Sequence, residues 1–219
     1  MSKNIEEKVA IAQNNKRYAI VPHYPGGLMT SDDLRHLADM ADKYNVDVLK
    51  ATSAQRIAFI GVDEEKIDQA WDDIGRPKGM AIGTCVRSVR LCPGNQYCPY
   101  GTQDSIKLGL ELDKKFHGRK TPSKFKIGVS GCSRDCAENA VKDIGFMGFS
   151  KGWKVTIGGN GGAAPRLAQK LTAGLTNEEA VEMAGKVLDL FDKEQPKMRI
   201  GKWILKIGLD EFKSKLGIE

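Results

Sequence analysis

The sequence predicts an α+β fold made of two successive parts, and three observations support this. In the first 75 residues, short apolar runs and amphipathic helical stretches follow one another in the order β-α-β-β-α. The segment Gly75-Arg76-Pro77-Lys78-Gly79 then breaks the pattern, because glycine and proline interrupt both helices and strands. Beyond it, strands and helices alternate around glycine-rich turns. We therefore expect one domain over residues 1–75 and a second over residues 76–219.

The first part begins with a short strand that ends in a turn rich in proline and glycine, at residues 22–27. Thr30 is a suitable helix N-cap, since the acidic residues that follow it favour a first helical turn. The predicted elements are strands over residues 17–22, 46–51 and 56–62 and helices over residues 30–44 and 63–74. This order matches half of a ferredoxin-like sandwich.

The second part is predicted to contain a strand pair joined by the turn Ser150-Lys151-Gly152. The predicted strands cover residues 124–129, 143–149 and 153–157, and the helices cover residues 103–116, 134–141 and 177–191, with a last helix within residues 201–216. Helical sequence is also expected directly after the glycine-rich segment at residues 158–162. No internal repeat is visible, so each part occurs once.

Composition and charge exclude several classes of protein. The chain has 34 Lys and Arg against 28 Asp and Glu, a formal charge of +6, and 41% apolar residues. No run of about 18 uncharged apolar residues could span a bilayer. The polar first residues lack the features of a secretory signal, so we expect a cytoplasmic protein that is neither membrane-bound nor secreted. In that reducing setting, cysteines act as ligands or free thiols more often than as disulfides.

Four of the five cysteines form two spaced pairs. Cys92 and Cys98 are a C-x5-C pair, and Cys132 and Cys136 are a C-x3-C pair, with 33 residues between the two pairs. Four thiolates suit a [4Fe–4S] cubane, although the spacing differs from that of bacterial and plant-type ferredoxins. Structural zinc prefers closer pairs, but zinc and unligated thiols stay open at this point. Cys85 stands outside both pairs and is expected to be a small core residue.

The sequence around these cysteines resembles the sirohaem/[4Fe–4S] sulfite and nitrite reductase family, in its small single-copy assimilatory type. The resemblance continues along nearly the whole chain in the order of the family's motifs. Tyr24-Pro25-Gly26-Gly27 is similar to its substrate loop, and Thr52-Ser53-Ala54-Gln55-Arg56 to its Thr-x-x-Gln strand. Pro122-Ser123-Lys124-Phe125-Lys126 resembles its lysine pair, and Gly158-Gly159-Asn160-Gly161-Gly162 its glycine-rich loop.

The resemblance implies a set of roles for the matching residues. It makes the four paired cysteines the ligands of a [4Fe–4S] cluster and Cys136 the bridge to the sirohaem iron. It places Arg87, Lys124 and Lys126 around the substrate, with His23 where the family carries an arginine. The implied sirohaem partners are Gln55, Arg56, Arg90, Arg134, Gly159, Asn160, Gly161, Gly162 and Arg166. Arg119 and Lys142 are further candidate cations of the second part.

Plainer interpretations exist for several of these residues. Lys124 and Lys126 lie two apart on a predicted strand and so point to one side, as they would on a solvated strand face. His23 can be an ordinary loop histidine, and Arg56 a surface charge. The segment 159–164 also matches the dinucleotide pattern G-x-G-x-x-A, but the βαβ continuation is missing. A glycine nest for carboxylates explains this segment better, with a simple tight turn as the alternative.

The function implied by the resemblance is the six-electron reduction of sulfite to sulfide. The alternatives are reduction of nitrite to ammonia and a non-catalytic [4Fe–4S] electron carrier. A zinc-held nucleic-acid-binding protein is disfavoured, because no basic run or aromatic stacking surface accompanies the charge. No flavin or nicotinamide domain fits in the length. We therefore expect a separate ferredoxin-like donor or reductase, and either a homodimer or an exposed sirohaem.

Overall fold

A computed structural model describes residues 3–218, and it divides into two compact units, Met1–Gly83 and Thr84–Glu219. The outermost ends of the two predicted domains, at residues 1 and 219, lie outside the described residues. Each unit has its own sheet and its own hydrophobic core. Among the described residues, no helix is both long and apolar enough to cross a membrane.

The first unit is an antiparallel sheet with two helices. In chain order its elements are β1 (Ile11–Ala12), β2 (Tyr18–Ile20), α1 (Ser31–Lys43), β3 (Val48–Ala51), β4 (Ile57–Val62) and α2 (Ile67–Ile74). The strands are ordered β1-β2-β4-β3, and every neighbouring pair is antiparallel. The predicted order β-α-β-β-α is confirmed from β2 onward. Strand β1 has only two residues, too few for any periodic pattern.

Helix α1 begins where the sequence predicts. Thr30 and Asp33 form a capping box, in which Asp33 N–H donates to Thr30 Oγ1 at 3.1 Å and Thr30 N–H donates to the Asp33 carboxylate at 2.8 Å. The hydrogen bonds that the Thr30 N–H and the Thr30 hydroxyl donate to the Asp33 carboxylate lower the pKa of that carboxyl. Leu37 of α1 and Trp71 of α2 are buried together with Phe59 of β4, so the helices complete the core of this unit.

The second unit contains five strands and five helices among the described residues. In chain order these are β5 (Val86–Leu91), α3 (Gly94–Tyr97), α4 (Ser105–Phe116), β6 (Phe125–Ser130), β7 (Ile144–Phe149), β8 (Gly152–Ile157), β9 (Gln169–Leu175), α5 (Asn177–Glu194), α6 (Ile200–Ile207) and α7 (Leu209–Leu216). The strands lie side by side in sequence order. β5, β6 and β7 are parallel, whereas β8 and β9 are antiparallel additions.

The two faces of this sheet differ in chemistry. One face is covered by helices and buries large apolar side chains, among them Phe125, Phe146 and Trp153. Because side chains alternate along a strand, the neighbouring residues Lys126 and Lys154 point to the opposite face. The charged groups of the sheet are therefore collected on the face that carries no helical core.

Two predictions in this unit are wrong, and a third, for the last helix, is incomplete. Residues 134–141 do not form a helix, and only a 3-10 turn occurs, at Asn139–Val141, because Asp135 and Glu138 have φ of 55° and 57°. The glycine-rich segment is followed by strand β9 and not by helical sequence. The last helix is two helices, since Gly208 has φ of 92° and separates α6 from α7.

Candidate functional site

The two cysteine pairs lie in loops that follow neighbouring parallel strands. Cys92 comes directly after β5, and Cys132 comes two residues after the end of β6. The carboxyl ends of parallel strands meet at one edge of a sheet, which is where open α/β sheets place their ligands. The topology therefore brings together two segments that are far apart in the sequence.

Gly131 connects the two cysteine loops through hydrogen bonds. Its N–H donates to Cys92 Sγ at 3.1 Å, and its carbonyl accepts from the N–H groups of Thr102 and Gln103 at 2.8 and 3.0 Å. A Cβ at this position would lie 2.8 Å from both the Gln103 carbonyl oxygen and the Gly94 Cα. Only glycine permits this approach, and the N–H thereby reaches the sulfur.

The first cysteine loop is held by its own hydrogen bonds. Cys98 N–H donates to the Gly94 carbonyl at 2.8 Å across the short helix α3. Ser105 Oγ, at the start of α4, donates to the Cys92 carbonyl at 2.7 Å and lies 3.3 Å from Cys92 Sγ. The backbone on both sides of this pair is therefore fixed by neighbouring helices.

The second cysteine loop is organised by the Asp135 carboxylate. It accepts from Ser130 Oγ at 3.0 Å and from the N–H groups of Asn139 and Ala140 at 2.9 and 3.1 Å. These bonds replace the intrahelical ones that the predicted helix would have formed. They wrap the loop around one side chain and leave Cys136 exposed.

The cysteines fit an iron–sulfur cluster by the chemistry of their donors. None of the five is in a disulfide; Cys92, Cys98 and Cys132 are partly buried, whereas Cys85 is buried, as expected of a core residue. A backbone N–H directed at sulfur is typical of such centres. Within residues 3–218, no three His, Cys, Asp or Glu side chains are grouped as they would be around a single metal ion.

Positive charge is concentrated on the face of the sheet that carries no helical core. Lys126 of β6 is half-buried, and its pKa is lowered by burial and by the nearby Arg199, Lys124 and Arg87, while Asp143 opposes the shift. The structure therefore brings the three predicted substrate cations, Arg87, Lys124 and Lys126, into one electrostatic environment. Arg199 and Asp143 are additional members that no sequence motif indicated.

Lys142 and Arg90 extend the group of cations around Lys126. Burial lowers the pKa of Lys142, and repulsion by Arg90 and Lys126 adds to the shift, although Glu138 opposes it. Arg90 Nη1 donates to Glu138 Oε2 at 2.7 Å, and this bond lowers the pKa of Glu138. Arg90 Nε, however, is buried and has no hydrogen-bond partner among the described residues. A buried donor of this kind fits a ligand that brings its own carboxylates, as sirohaem does.

The remaining predicted sirohaem partners lie at two separate places. Arg134 stacks on the ring of Tyr100, 3.8 Å from its centroid, so it lies against the first cysteine loop. Arg166 forms a β-bridge with Asn160 that closes the glycine-rich loop, and both residues line a cavity of about 350 Å³. Gly159 lines the same cavity, whereas Gly161 and Gly162 are exposed. Strand β9 then runs antiparallel to β8, which bears out the missing βαβ continuation.

Arg119, a further candidate cation, is in a different place. Its guanidinium donates to Asp189 at 2.8 Å and to Asp192 at 2.6 Å, both on α5. Helix α5 packs on the apolar face of the sheet. Arg119 is therefore a partner of α5 and does not belong to the group of cations around Lys126.

Three predicted residues belong to the first unit. His23 is nearly buried, and its backbone N–H donates to the Pro77 carbonyl at 2.9 Å. Gln55 has φ of 59° in a turn where its N–H donates to the Thr52 carbonyl at 3.0 Å. Arg56 is only 7% exposed, so its interpretation as a surface charge is wrong.

Comparison with known protein families identifies the family to which this chain is similar. The model of the nitrite and sulphite reductase 4Fe-4S domain matches residues 82–219, and the model of the nitrite/sulfite reductase ferredoxin-like half domain matches residues 11–76. The assimilatory-type sulfite reductase of Nitratidesulfovibrio vulgaris is 36% identical over 95% of this chain and 96% of its own length.

Nitrite reductases are also similar to this chain. The nitrite reductase [NAD(P)H] of Bacillus subtilis is 41% identical over 98% of the chain, and the nitrite reductase (NADH) large subunit of Escherichia coli is 33% identical over 96%. The chain spans only 27% and 26% of the lengths of these two proteins.

Two solved structures share the fold. The NirA protein of Mycobacterium tuberculosis superposes with a TM-score of 0.81 at 20% identity, covering 92% of this chain and 40% of that one. Dissimilatory sulfite reductase I superposes with a TM-score of 0.82 at 11% identity, covering 92% and 69%. These comparisons confirm the predicted fold class, a ferredoxin-like half domain followed by a cofactor-binding module. The chain therefore belongs to the nitrite and sulfite reductase family, the oxidoreductases that use a [4Fe–4S] cluster together with sirohaem.

Proposed function

We propose that the protein reduces sulfite to sulfide. The observation that carries the proposal is the match to an assimilatory-type sulfite reductase over nearly the full length of both chains. The reaction consumes six electrons and eight protons per sulfite and releases hydrogen sulfide and three water molecules. Reduction of nitrite to ammonium and two waters, with the same numbers of electrons and protons, is the second candidate, because the Bacillus subtilis nitrite reductase is 41% identical.

The proposed cluster ligands are Cys92, Cys98, Cys132 and Cys136. The first three are partly buried in loops that Gly131 and Asp135 hold in place, as a rigid cluster requires. Cys136 is exposed, and this suits a thiolate that also reaches the iron of a second cofactor. When bound, the cluster and sirohaem supply the electrons and the open iron position for the oxyanion.

The chain itself supplies charge and protons. We assign Arg87, Lys124 and Lys126 to oxyanion binding, because cations stabilise the negative charge that appears as oxygen leaves. Lys126 is the best placed to donate a proton from Nζ, since its lowered pKa makes its ammonium a stronger acid than an ordinary lysine. His23 as an additional proton donor remains a prediction of the resemblance.

Carboxylates of sirohaem are assigned to the other cations of the second unit. Arg90 offers a buried Nε that has no acceptor within residues 3–218, and Arg134 and Arg166 offer guanidinium groups. The loop residues Gly159, Asn160, Gly161 and Gly162, together with Gln55 and Arg56 of the first unit, complete the proposed set. A separate ferredoxin-like donor or reductase and a homodimer also remain proposals.

The two substrates can be compared directly with one reductant. Photochemically reduced methyl viologen is suitable, whereas dithionite is not, because it releases sulfite. We expect kcat/KM for sulfite to exceed that for nitrite, and the reverse order would favour the second candidate. Iron analysis separates both from a simple cluster carrier: about five irons per chain are expected with sirohaem bound, against about four for a cubane alone.

A further inference from the structure

The segment that contains strands β7, β8 and β9 carries only positive charge. Between Asp143 and Glu178 the sequence has no acidic residue, and its four basic residues are Lys151, Lys154, Arg166 and Lys170. In a chain with 28% charged residues, so long a segment without a carboxylate is unusual. Nothing in the proposed ligand set or substrate site uses the three lysines, so this charge needs another explanation.

The three lysines surround an open cavity of about 260 Å³. Phe149 lies at its apolar part and is 40% exposed, although it ends a central strand. Lys151, Lys154 and Lys170 form no ion pair with any carboxylate of residues 3–218. We call these four residues the lysine surface. An exposed aromatic residue ringed by unpaired cations resembles the apolar centre and polar rim of a protein interface.

The lysine surface adjoins the cysteine loops. β7 is parallel to β5 and β6, so Phe149 ends at the same edge of the sheet as the residues before Cys92 and Cys132. The Phe149 carbonyl accepts from Gln103 Nε2 at 2.7 Å, and Gln103 N–H in turn donates to the Gly131 carbonyl at 3.0 Å. Two hydrogen bonds thus connect the surface to the residue that precedes Cys132.

We propose that the lysine surface docks an acidic protein that delivers electrons one at a time to the proposed cluster. This rests on the proposed function, which requires six electrons for each sulfite. In each encounter the donor is oxidised by one electron and the proposed cluster is reduced by one. An acidic partner is favoured over a second copy of this chain, because in a symmetric contact lysines would face lysines on a molecule of net charge +6.

The test uses an acidic [2Fe–2S] ferredoxin, reduced photochemically, as the probe. In the variant Lys151→Glu/Lys170→Glu, we expect the second-order rate of cluster reduction at low ionic strength to fall about tenfold or more. The dependence of this rate on salt should also become flatter. The matched control is Lys114→Glu/Lys206→Glu, which makes the same charge change at exposed positions on α4 and α6.

Methyl viologen separates this inference from the proposed function. Reduced viologen is a small cation that needs no docking surface, so both double variants should retain viologen-driven turnover. If the unaltered holoprotein fails to turn over sulfite or nitrite with viologen, the proposed function is wrong. If viologen turnover is normal but the Lys151/Lys170 variant keeps the full ferredoxin rate, the docking surface is wrong. An equal loss in both variants would also overturn it, since net charge alone would then explain the effect.

Discussion

The N–H of Gly131 lies 3.1 Å from Cys92 Sγ and donates a hydrogen bond to it. This single contact joins the loop after β5 to the loop after β6. It also directs a partial positive charge at a sulfur that we propose as a cluster ligand, and such hydrogen bonds stabilise the thiolate form and tune the cluster.

Substituting Gly131 with alanine should therefore disturb the cluster. The added Cβ would lie 2.8 Å from the Gly94 Cα, so the two loops must separate. We expect Gly131→Ala to lose most of its iron and acid-labile sulfide during anaerobic purification. The control is Gly185→Ala in α5, whose Cβ would make an ordinary contact of 3.6 Å with Phe116. This change should raise the free energy of unfolding by about 1 kcal/mol and leave the iron content unchanged.

The Cys136→Ser variant should lose both cofactors together. Serine is a poor ligand for iron, and the proposed role of Cys136 would make its sulfur a ligand of both cofactors, so its loss would weaken the binding of each. The absorption spectrum should show the loss of cluster and chlorin bands alike. Cys85→Ala is the control, because Cys85 is buried in the fold and lies outside both pairs. Retention of the chlorin bands by Cys136→Ser would contradict the bridging role.

The Lys124→Ala variant should keep the absorption bands of both cofactors but reduce sulfite slowly. Lys124 is exposed and adds to the positive field at Lys126, so its removal takes charge from the proposed oxyanion site without leaving a cavity. We expect kcat/KM for sulfite to fall about a hundredfold with methyl viologen as the reductant. Lys120→Ala, an exposed lysine four residues earlier, should be normal. Equal rates in the two variants would argue for a solvated strand face.

Binding of sirohaem should take up protons. In the protein without tetrapyrrole, burial and neighbouring cations lower the pKa values of Lys126 and Lys142. The carboxylates of sirohaem would raise both pKa values, so between the lowered and raised values the complex binds more protons than the free chain. Affinity should therefore decrease as pH rises through this range.

Calorimetric titration of protein made without sirohaem, in two buffers of different ionisation enthalpy, measures this proton uptake. The variant Lys126→Met/Lys142→Met should take up fewer protons, and Lys114→Met should match the unaltered chain. Proton release on binding would contradict the placement of sirohaem carboxylates near these lysines.

The ion pair between Asp143 and Arg199 should contribute to stability. Asp143 is fully buried, and it accepts from Arg199 Nη2 at 2.5 Å and from the Lys126 N–H at 2.9 Å. Arg199→Met would leave a buried carboxylate unpaired, and we expect the free energy of unfolding to fall by about 3 kcal/mol. The double variant Asp143→Asn/Arg199→Met should lose less than the sum of the single changes, as a double-mutant cycle by urea unfolding would show.

The loss in free energy of unfolding that Arg199→Met causes should depend on pH in a definite direction. Burial already raises the pKa of Asp143, and loss of Arg199 would raise it further. A carboxyl whose pKa is raised by folding favours the folded state while it is protonated, and this benefit is lost as pH rises through the folded pKa. The loss of stability in Arg199→Met should therefore become smaller as pH falls. A loss that becomes larger in acid would contradict the stabilising ion pair between Asp143 and Arg199.

Much of the fold could be predicted because local signals agree with the final structure. Thr30 caps α1 through a side-chain bond to a residue three positions away, and a motif of that length is visible in the sequence. The spacing of the cysteines likewise pointed to two loops. Each of these signals depends on residues that are neighbours in the chain.

The errors arose where distant contacts decide the conformation. The carboxylate of Asp135 competes with helix formation between residues 134 and 141 by accepting backbone N–H groups, and the pattern of apolar residues does not reveal this. Strand β9 is an edge strand in which only Leu171 is fully buried, so its alternation is weak. Arg199 meets Asp143 across 56 residues with no motif at either end.

The parallel pairing of β5 with β6 has a consequence for the order of biogenesis. In the proposed ligand set, the loop after each strand supplies two of the four sulfurs, and 33 residues lie between the first pair and the second. A nascent chain in which the strands have not yet met would offer iron only half a coordination shell. Metal insertion would then follow tertiary folding, and colour in the purified protein would report a completed sheet.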